Sequence, residues 1–363
     1  MNKTSFSINF LLIILLLSAC GKKQNAFKDQ PTGFKTIKYS NSFGIAEFPS
    51  YDQLFYIQNK DTIWSIKSTD LNPQKKNTVV LSTVFAGFME ALGNQNQIVG
   101  VDKMAYYNHP DIIKGFNDGK ILEVGEEGAL KLEALLALQP AFLIASPVTA
   151  ENSNIISRLS KSGTIVISCD NFKENHPLAR AEWIKLFGFI NGTYQKADSL
   201  FNDIEMKYNN VKKLAAQSQT HPMVMTDALY SGSWNVPGAN SYTARLIKDA
   251  GGVYVFNNKT ESYTYPLNLE TVMETASQAD IWIHVNQYKT KSEMLKSESR
   301  YNRFKAFNQN KVFNYNQREN AAGGNDFWET GVVRPDLVLS DLVKIFSNDK
   351  IKTSDLFFYT RLD

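Results

Sequence analysis

One structural phrase occurs twice in this chain. Residues 132–138 (LEALLAL) pass through Gln139-Pro140 into the apolar run 141–145 (AFLIA), and residues 269–276 (LETVMETA) pass through a short polar turn into 281–285 (IWIHV). A second pair repeats the relation: FMEALGNQNQIVGV and RLIKDAGGVYVF each read as a helix that runs into glycine and then a strand. Apolar residues recur at helical spacing before each break and without interruption after it. An uninterrupted apolar run suits a strand buried on both faces. Strands alternating with helices imply a parallel sheet covered on both sides. Two such halves point to a pair of α/β lobes.

The remaining segments fit that plan. In the first half, 78–81 (TVVL) and 98–101 (IVGV) read as strands flanking a helix at 85–92 that Gly93 ends, and 164–168 (TIVIS) follows a helix at 155–160. Between the halves, 177–217 reads as helical. Its later part places Ala197, Leu200, Phe201, Ile204, Tyr208, Val211 and Leu214 at a period near 3.6. In the second half, 223–226 reads as a strand and 242–250 as a helix ended by Gly251-Gly252. A last helix over 335–346 opens on Pro335. Ahead of both halves, 34–66 alternates apolar and polar residues around Gly44, Pro49 and Asn59-Lys60-Asp61, as short antiparallel strands do.

The first twenty residues have a different purpose. A basic start at Lys3 precedes an apolar run over 8–17, then small residues Ser18 and Ala19, then Cys20. That is the order of a secretory signal, and a run of about ten residues is short for a span that needs roughly twenty. Leu17-Ser18-Ala19-Cys20 resembles the bacterial lipobox, which implies that Cys20 is lipidated and becomes the first residue of the mature protein. A plain secretory signal is the alternative. The other cysteine, Cys169, then has no disulfide partner and reads as a small buried hydrophobe. The expected organisation is a signal over 1–19, a polar tether over 20–33, a first lobe over 34–176 that includes the short strands, a linking helical region over 177–219 and a second lobe over 220–363. A net charge of only +3 gives no reason to expect nucleic acid as a partner.

With these stretches in view, the chain resembles the helical-backbone substrate-binding proteins of ABC importers, which bind ferric siderophores, haem and cobalamin. The resemblance is carried by VVLSTVFAGFMEALGNQNQIVGVDK, VGEEGALKLEALLALQPAFLIA, ANSYTARLIKDAGG and GVVRPDLVLSDLVKIF, in the family's order between residues 78 and 346. It implies an α/β fold: two Rossmann-like lobes with parallel sheets, joined by one long backbone helix, with a ligand cleft between the lobes. It also implies a monomer that delivers a metal chelate to a membrane permease. A ferric siderophore is the first expectation, cobalamin the second and haem the third. No resident cofactor or metal is expected. No enzyme is expected either, because no Gly-x-Ser-x-Gly elbow, P-loop or Gly-x-Gly-x-x-Gly fingerprint occurs. Family members often carry one docking glutamate for the permease on each lobe. Here Gly87 and Asn240 occupy the corresponding positions, and Glu90, one turn after Gly87, is the substitute candidate, with Glu126 and Glu127 as further surface carboxylates.

Ligands of parallel sheets sit beyond the carboxyl ends of the strands, which directs attention to the loops there. They hold Phe85, Tyr106, Tyr107, Trp234, Tyr263, Tyr265 and Trp328, whose faces suit a large planar or catecholate ligand. Folding back to cover the lobe cores is the competing use for such rings. Trp234, between Gly232 and Pro237, is expected to be exposed. Arg318 has two readings: a partner for an anionic ligand, or an internal pair with Glu319 or Asp326. The four histidines are widely spaced. His109, beside Tyr106 and Tyr107, is the one with an axial-ligand reading, against a solvated loop residue.

Overall fold

The computed structural model describes residues 30–126, 128–146, 153–347 and 351–363. The expected signal segment, Cys20, the expected tether up to residue 29, Glu127 and the strand-end loop at 147–149, a further ligand-loop expectation of the sequence, lie outside the described residues. Among the described residues, no helix is long and apolar enough to cross a membrane.

The chain divides into two compact units, 1–72 and 73–363. In the first, β1 (Gly33–Phe34), β2 (Phe43–Glu47), β3 (Asp52–Gln58) and β4 (Asp61–Lys67) form an antiparallel meander in that order. Asn59 and Lys60 turn the last hairpin with φ of 51° and 71°, the left-handed pair that a two-residue turn between twisted strands demands. Ala46, Phe48 and Phe55 make a core of their own with Phe34, Tyr51 and Ile57 packed against it. The contacts accordingly separate these strands from residues 73–176, with which the sequence pattern grouped them.

The second unit holds the two α/β lobes. The first lobe's sheet contains β5 (Thr78–Val80), β6 (Ile98–Val101), β7 (Leu122–Glu123), β8 (Phe142–Ala145) and β9 (Ile165–Ser168). Their order is β7-β6-β5-β8-β9, every pairing parallel. The second lobe adds β10 (Met223–Thr226), β11 (Leu229–Tyr230), β12 (Ser233–Pro237), β13 (Val253–Tyr254), β14 (Thr264–Leu267), β15 (Ile281–Ile283), β16 (Val312–Asn314) and β17 (Thr360–Arg361). Its main sheet runs β13-β10-β15-β16-β17, parallel except for β17, while β11-β12-β14 form a small antiparallel sheet. The linking region is three helices, Pro177–Glu182, Ile184–Ile190 and Tyr194–Ala215. Gly192, at φ 69°, lies in the break before the last of them. That helix has 22 residues, about 33 Å at 1.5 Å per residue, and Ala197, Phe201, Ile204 and Tyr208 are its buried stripe. The final helix, Pro335–Ser347, packs against it.

In the first lobe, Val79, Leu81, Val124, Leu135, Leu143 and Leu159 close a core between sheet and helices. In the second, Trp234 stacks on Trp282 at 5.5 Å between centroids, with Tyr301 and Phe304 against the pair. Trp234 is 0% exposed and its Nε1 donates to Thr226 O at 2.9 Å. The expectation that it is exposed is therefore wrong. Residues 233–237 are a strand, and the twofold alternation of its side chains turns Trp234 and Val236 inward.

Candidate functional site

Both main sheets send the carboxyl ends of their strands to one cleft of about 1020 Å³. From the first lobe come Leu81, Ser82, Thr83 and Val84 after β5, Asp102 after β6, and Ser146 after β8. In this strand order the connections reverse direction beside β5, where a parallel sheet leaves a crevice. Ser82 begins the helix Thr83–Ala91, its Oγ accepting from the Val84 N–H at 3.3 Å. From the second lobe come Asn286, Gln287 and Lys289 after β15, and Tyr315, Glu319 and the segment around Gly323–Asn325 and Trp328 after β16.

The exit of β15 is shaped by strained residues. His284 and Asn286 have φ of 59° and 54°, so the strand stops at Ile283 rather than continuing to residue 285. His284 is held by its ring environment: Tyr315, Phe327 and Tyr359 lie 5.0, 5.9 and 5.7 Å away, and its Nε2 is 2.7 Å from the Tyr359 hydroxyl. Burial lowers its pKa to about 3, so this imidazole is neutral. Asn314 Nδ2 donates to the carbonyls of Asn286 and Tyr288 at 2.8 and 3.0 Å, which ties the exits of β15 and β16 together.

The second-lobe segment after β16 also reaches the first lobe. Asn320 Nδ2 donates to Ala105 O and Tyr107 O at 3.1 and 3.0 Å. A Cβ on Gly324 would lie 2.6 Å from the carbonyls of Ala105 and Tyr106, so only glycine permits this approach. Deeper in, Asn108 N–H donates to Glu329 Oε2 at 2.8 Å.

Of the residues singled out by sequence, Tyr106 and Trp328 line the cleft and are 39% and 40% exposed. Tyr106 donates its hydroxyl to Glu126 Oε1 at 2.6 Å, and this hydrogen bond is the main cause that raises its pKa. Tyr107 is buried beneath, donating to Asp102 Oδ1 at 2.7 Å and Val80 O at 3.3 Å. It supports the cleft floor and does not line it. Phe85 belongs to the core, 6.1 Å from Phe187, because the third residue of its helix faces inward. Tyr263, 64% exposed, and Tyr265, part-buried in β14, are not in the cleft lining, and neither is any residue of β11 or β12. Arg318 pairs with Asp326 and lies over the Phe357 ring at 4.6 Å, so its internal reading holds. Asp326 Oδ1 also accepts from Thr330 at the start of the helix Thr330–Val333. His109 Nδ1 accepts from the Asp111 N–H at 3.3 Å, capping the helix Pro110–Asn117, and His109 is absent from the cleft lining.

Glu90 is not a surface docking group. Its side chain is 7% exposed, 3.9 Å from His109 Nδ1, and faces Glu329 of the second lobe. Burial first, and then the Glu329 charge, push its carboxyl well above the usual carboxylate range, while burial also raises Glu329. Among the described residues, Glu90 Oε1 and Glu329 Oε1 find no hydrogen-bond partner, so neither oxygen is compensated when charged. Gly87, one turn earlier, is buried too: a Cβ there would lie 2.4 Å from Glu329 O. A side chain at that position has no room without movement of the Glu329 backbone.

Sequence reasoning missed Asp102, Tyr315 and Asn286. Asp102 directly follows the strand at 98–101, so its place after an apolar run was a usable signal. Asn286 was hidden because 281–285 reads as one unbroken strand.

The description "periplasmic binding protein" belongs to the family model that matches residues 79–319. The chain belongs to this family. Its members are substrate-binding proteins of ABC transporters, not enzymes. An uncharacterized lipoprotein of Methanocaldococcus jannaschii is 24% identical over 326 residues, 85% of this chain and 76% of the relative. A possible iron-binding (periplasmic solute-binding) protein of Staphylococcus epidermidis has the same fold with a TM-score of 0.59 at 16% identity, over 76% of this chain and 100% of that one. The periplasmic heme-binding protein RhuT of Roseiflexus sp. RS-1 gives 0.57 at 20%, over 76% and 99%. Two lobes with parallel sheets, as the repeated phrase in the sequence implied, are the architecture of this periplasmic binding protein.

Proposed function

We propose that this binding protein carries a metal chelate of the ferric-siderophore or cobalamin type in its inter-lobe cleft and presents it to an ABC importer permease, held at the membrane by lipid on Cys20. The cleft carries the reading. About 1020 Å³ walled by Tyr106, Tyr315 and Trp328, with amides and hydroxyls between them, suits a large ligand with flat or ring-bearing faces. Among the described residues, no three His, Cys, Asp or Glu are grouped to hold a bare ion, which fits a metal carried in its own chelator. Haem is the second reading, favoured by the ligand in the name of the Roseiflexus protein. Against it, Tyr106 keeps its proton in a hydrogen bond donated to Glu126 rather than standing ready as a phenolate for iron.

The test is thermal: the mature protein is melted with and without cyanocobalamin, haemin and ferric hydroxamate and catecholate complexes. A ligand present at a hundred times its Kd stabilises by about 2.7 kcal/mol. No shift with any of them would remove the metal-chelate reading.

A further inference from the structure

The charges that line the cleft are unevenly matched. Among the described residues they are three carboxylates, Asp102, Glu126 and Glu319, and one ammonium, Lys289. Lys289 Nζ is already 2.8 Å from Glu319 Oε1. Asp102 accepts from buried Tyr107, and Glu126 accepts from Tyr106, so both carboxylates meet phenols rather than cations. Of the other cations nearby, Arg318 pairs with Asp326 outside the lining, and exposed Lys103 lies over the Tyr106 ring at 5.1 Å, also outside the lining. Among the described lining residues, a further positive influence is the first turn of the helix Thr83–Ala91 at Ser82–Val84. It amounts to about half a unit charge, and Ser82 Oγ already takes one of its N–H groups.

We infer that this cleft selects its cargo by charge, taking a neutral or cationic metal chelate and rejecting polyanionic ones, with Glu126 and the Lys289–Glu319 pair setting the selection. The inference rests on the chelate reading above. A polyanion would enter against Glu126 and Asp102 with no unengaged cation in the lining to meet it. A desolvated cleft makes that mismatch costlier than it is in water. A cationic chelate reaches Glu126 at the price of one phenol hydrogen bond, and a neutral one leaves every pair in place.

Binding of three probes to the full mature protein tests this: the cationic ferric complex of desferrioxamine B, neutral cyanocobalamin, and the trianionic ferric complex of enterobactin. Each is titrated against the wild type at low and high salt, and against Glu126→Gln and Glu319→Gln. The trianion should bind most weakly to the wild type and gain affinity with salt, because salt screens repulsion as well as attraction. Glu126→Gln should strengthen the trianion and weaken the cation, each on the order of tenfold. Glu319→Gln should also favour the trianion by freeing Lys289. Tightest binding of the trianion to the wild type would overturn the charge rule and leave the chelate reading standing. An equal effect of Glu126→Gln on every probe that binds, or no effect on affinity or salt slope, overturns the rule as well. If none of the probes binds to folded protein, the chelate reading fails and this inference fails with it.

Discussion

At the scale of single residues, burial decides roles that residue type leaves open. Glu90 and Glu126 are both carboxylates of the first lobe that read as surface groups in the sequence. One is sealed against Glu329 and the other lines the cleft. Glu90 makes a sharp prediction about pH. Its folded pKa is raised, so the folded state holds a proton that the unfolded chain releases near the ordinary carboxylate value of about 4.3. Its stabilising contribution is therefore complete below that value and is lost as pH rises through neutrality. The groups around it are Glu329, Asp326, Asp111 and His109, and only the imidazole of His109 gives any positive charge, at acid pH. Glu90→Gln keeps a neutral hydrogen-bonding group at every pH. Melting temperatures from pH 5 to pH 9 should show the variant close to wild type at the acid end and on the order of 1–3 kcal/mol more stable at the alkaline end. Parallel pH profiles for the two proteins would mean that Glu90 carries no extra proton.

At the scale of elements, the helix Thr83–Ala91 shows what periodicity leaves unsaid. Its apolar spacing and the stop at Gly93 were legible, and the observed ends differ from the expected 85–92 by one or two residues because Ser82 caps it early. That Gly87 faces the second lobe was not legible, since it depends on where the Thr330–Val333 helix comes to rest. Alanine improves an isolated helix by about 1 kcal/mol over glycine. Here its Cβ would meet a backbone carbonyl at 2.4 Å, so Gly87→Ala should instead destabilise the protein by about 1–3 kcal/mol, read by urea unfolding. A gain in stability would show that the two segments separate easily. Strand β12 teaches the converse. Gly232 and Pro237 read as loop punctuation, yet they bracket a short strand whose alternation buries Trp234.

At the scale of the whole molecule, two lobes of similar construction face each other across a cleft, and the chain between them is helical. Such a body would need no anchor to hold a ligand in its cleft. A tether at Cys20 would instead raise its concentration at the membrane, with several acyl chains needed for stable anchoring. Cys20→Ala should therefore leave chelate affinity in solution unchanged within about twofold and reduce import by cells, measured with radiolabelled iron or cobalt chelate. Weakened binding in solution would show that the anchor and the body are not separable.

The sequence by itself determined the two-lobe α/β plan, because apolar periodicity reports local geometry and burial on both faces of a strand. It also pointed to the strand-end loops at 83–85, 104–109, 126–129, 287–288 and 318–328, each of which contributes to the cleft lining, but equally to those at 229–235 and 263–266, which do not. Only the tertiary structure decided which side chains in those loops turn toward the cleft. Tyr106 and Tyr107 are neighbours, yet one lines the cleft and the other supports its floor. It also decided the charge of the site. Lys289 and Arg318 are plain cations in the sequence, and what they can offer a ligand is fixed by Glu319 and Asp326, which chain folding brings beside them. Pairing of that kind depends on distances between segments, and a linear pattern of residues does not encode them.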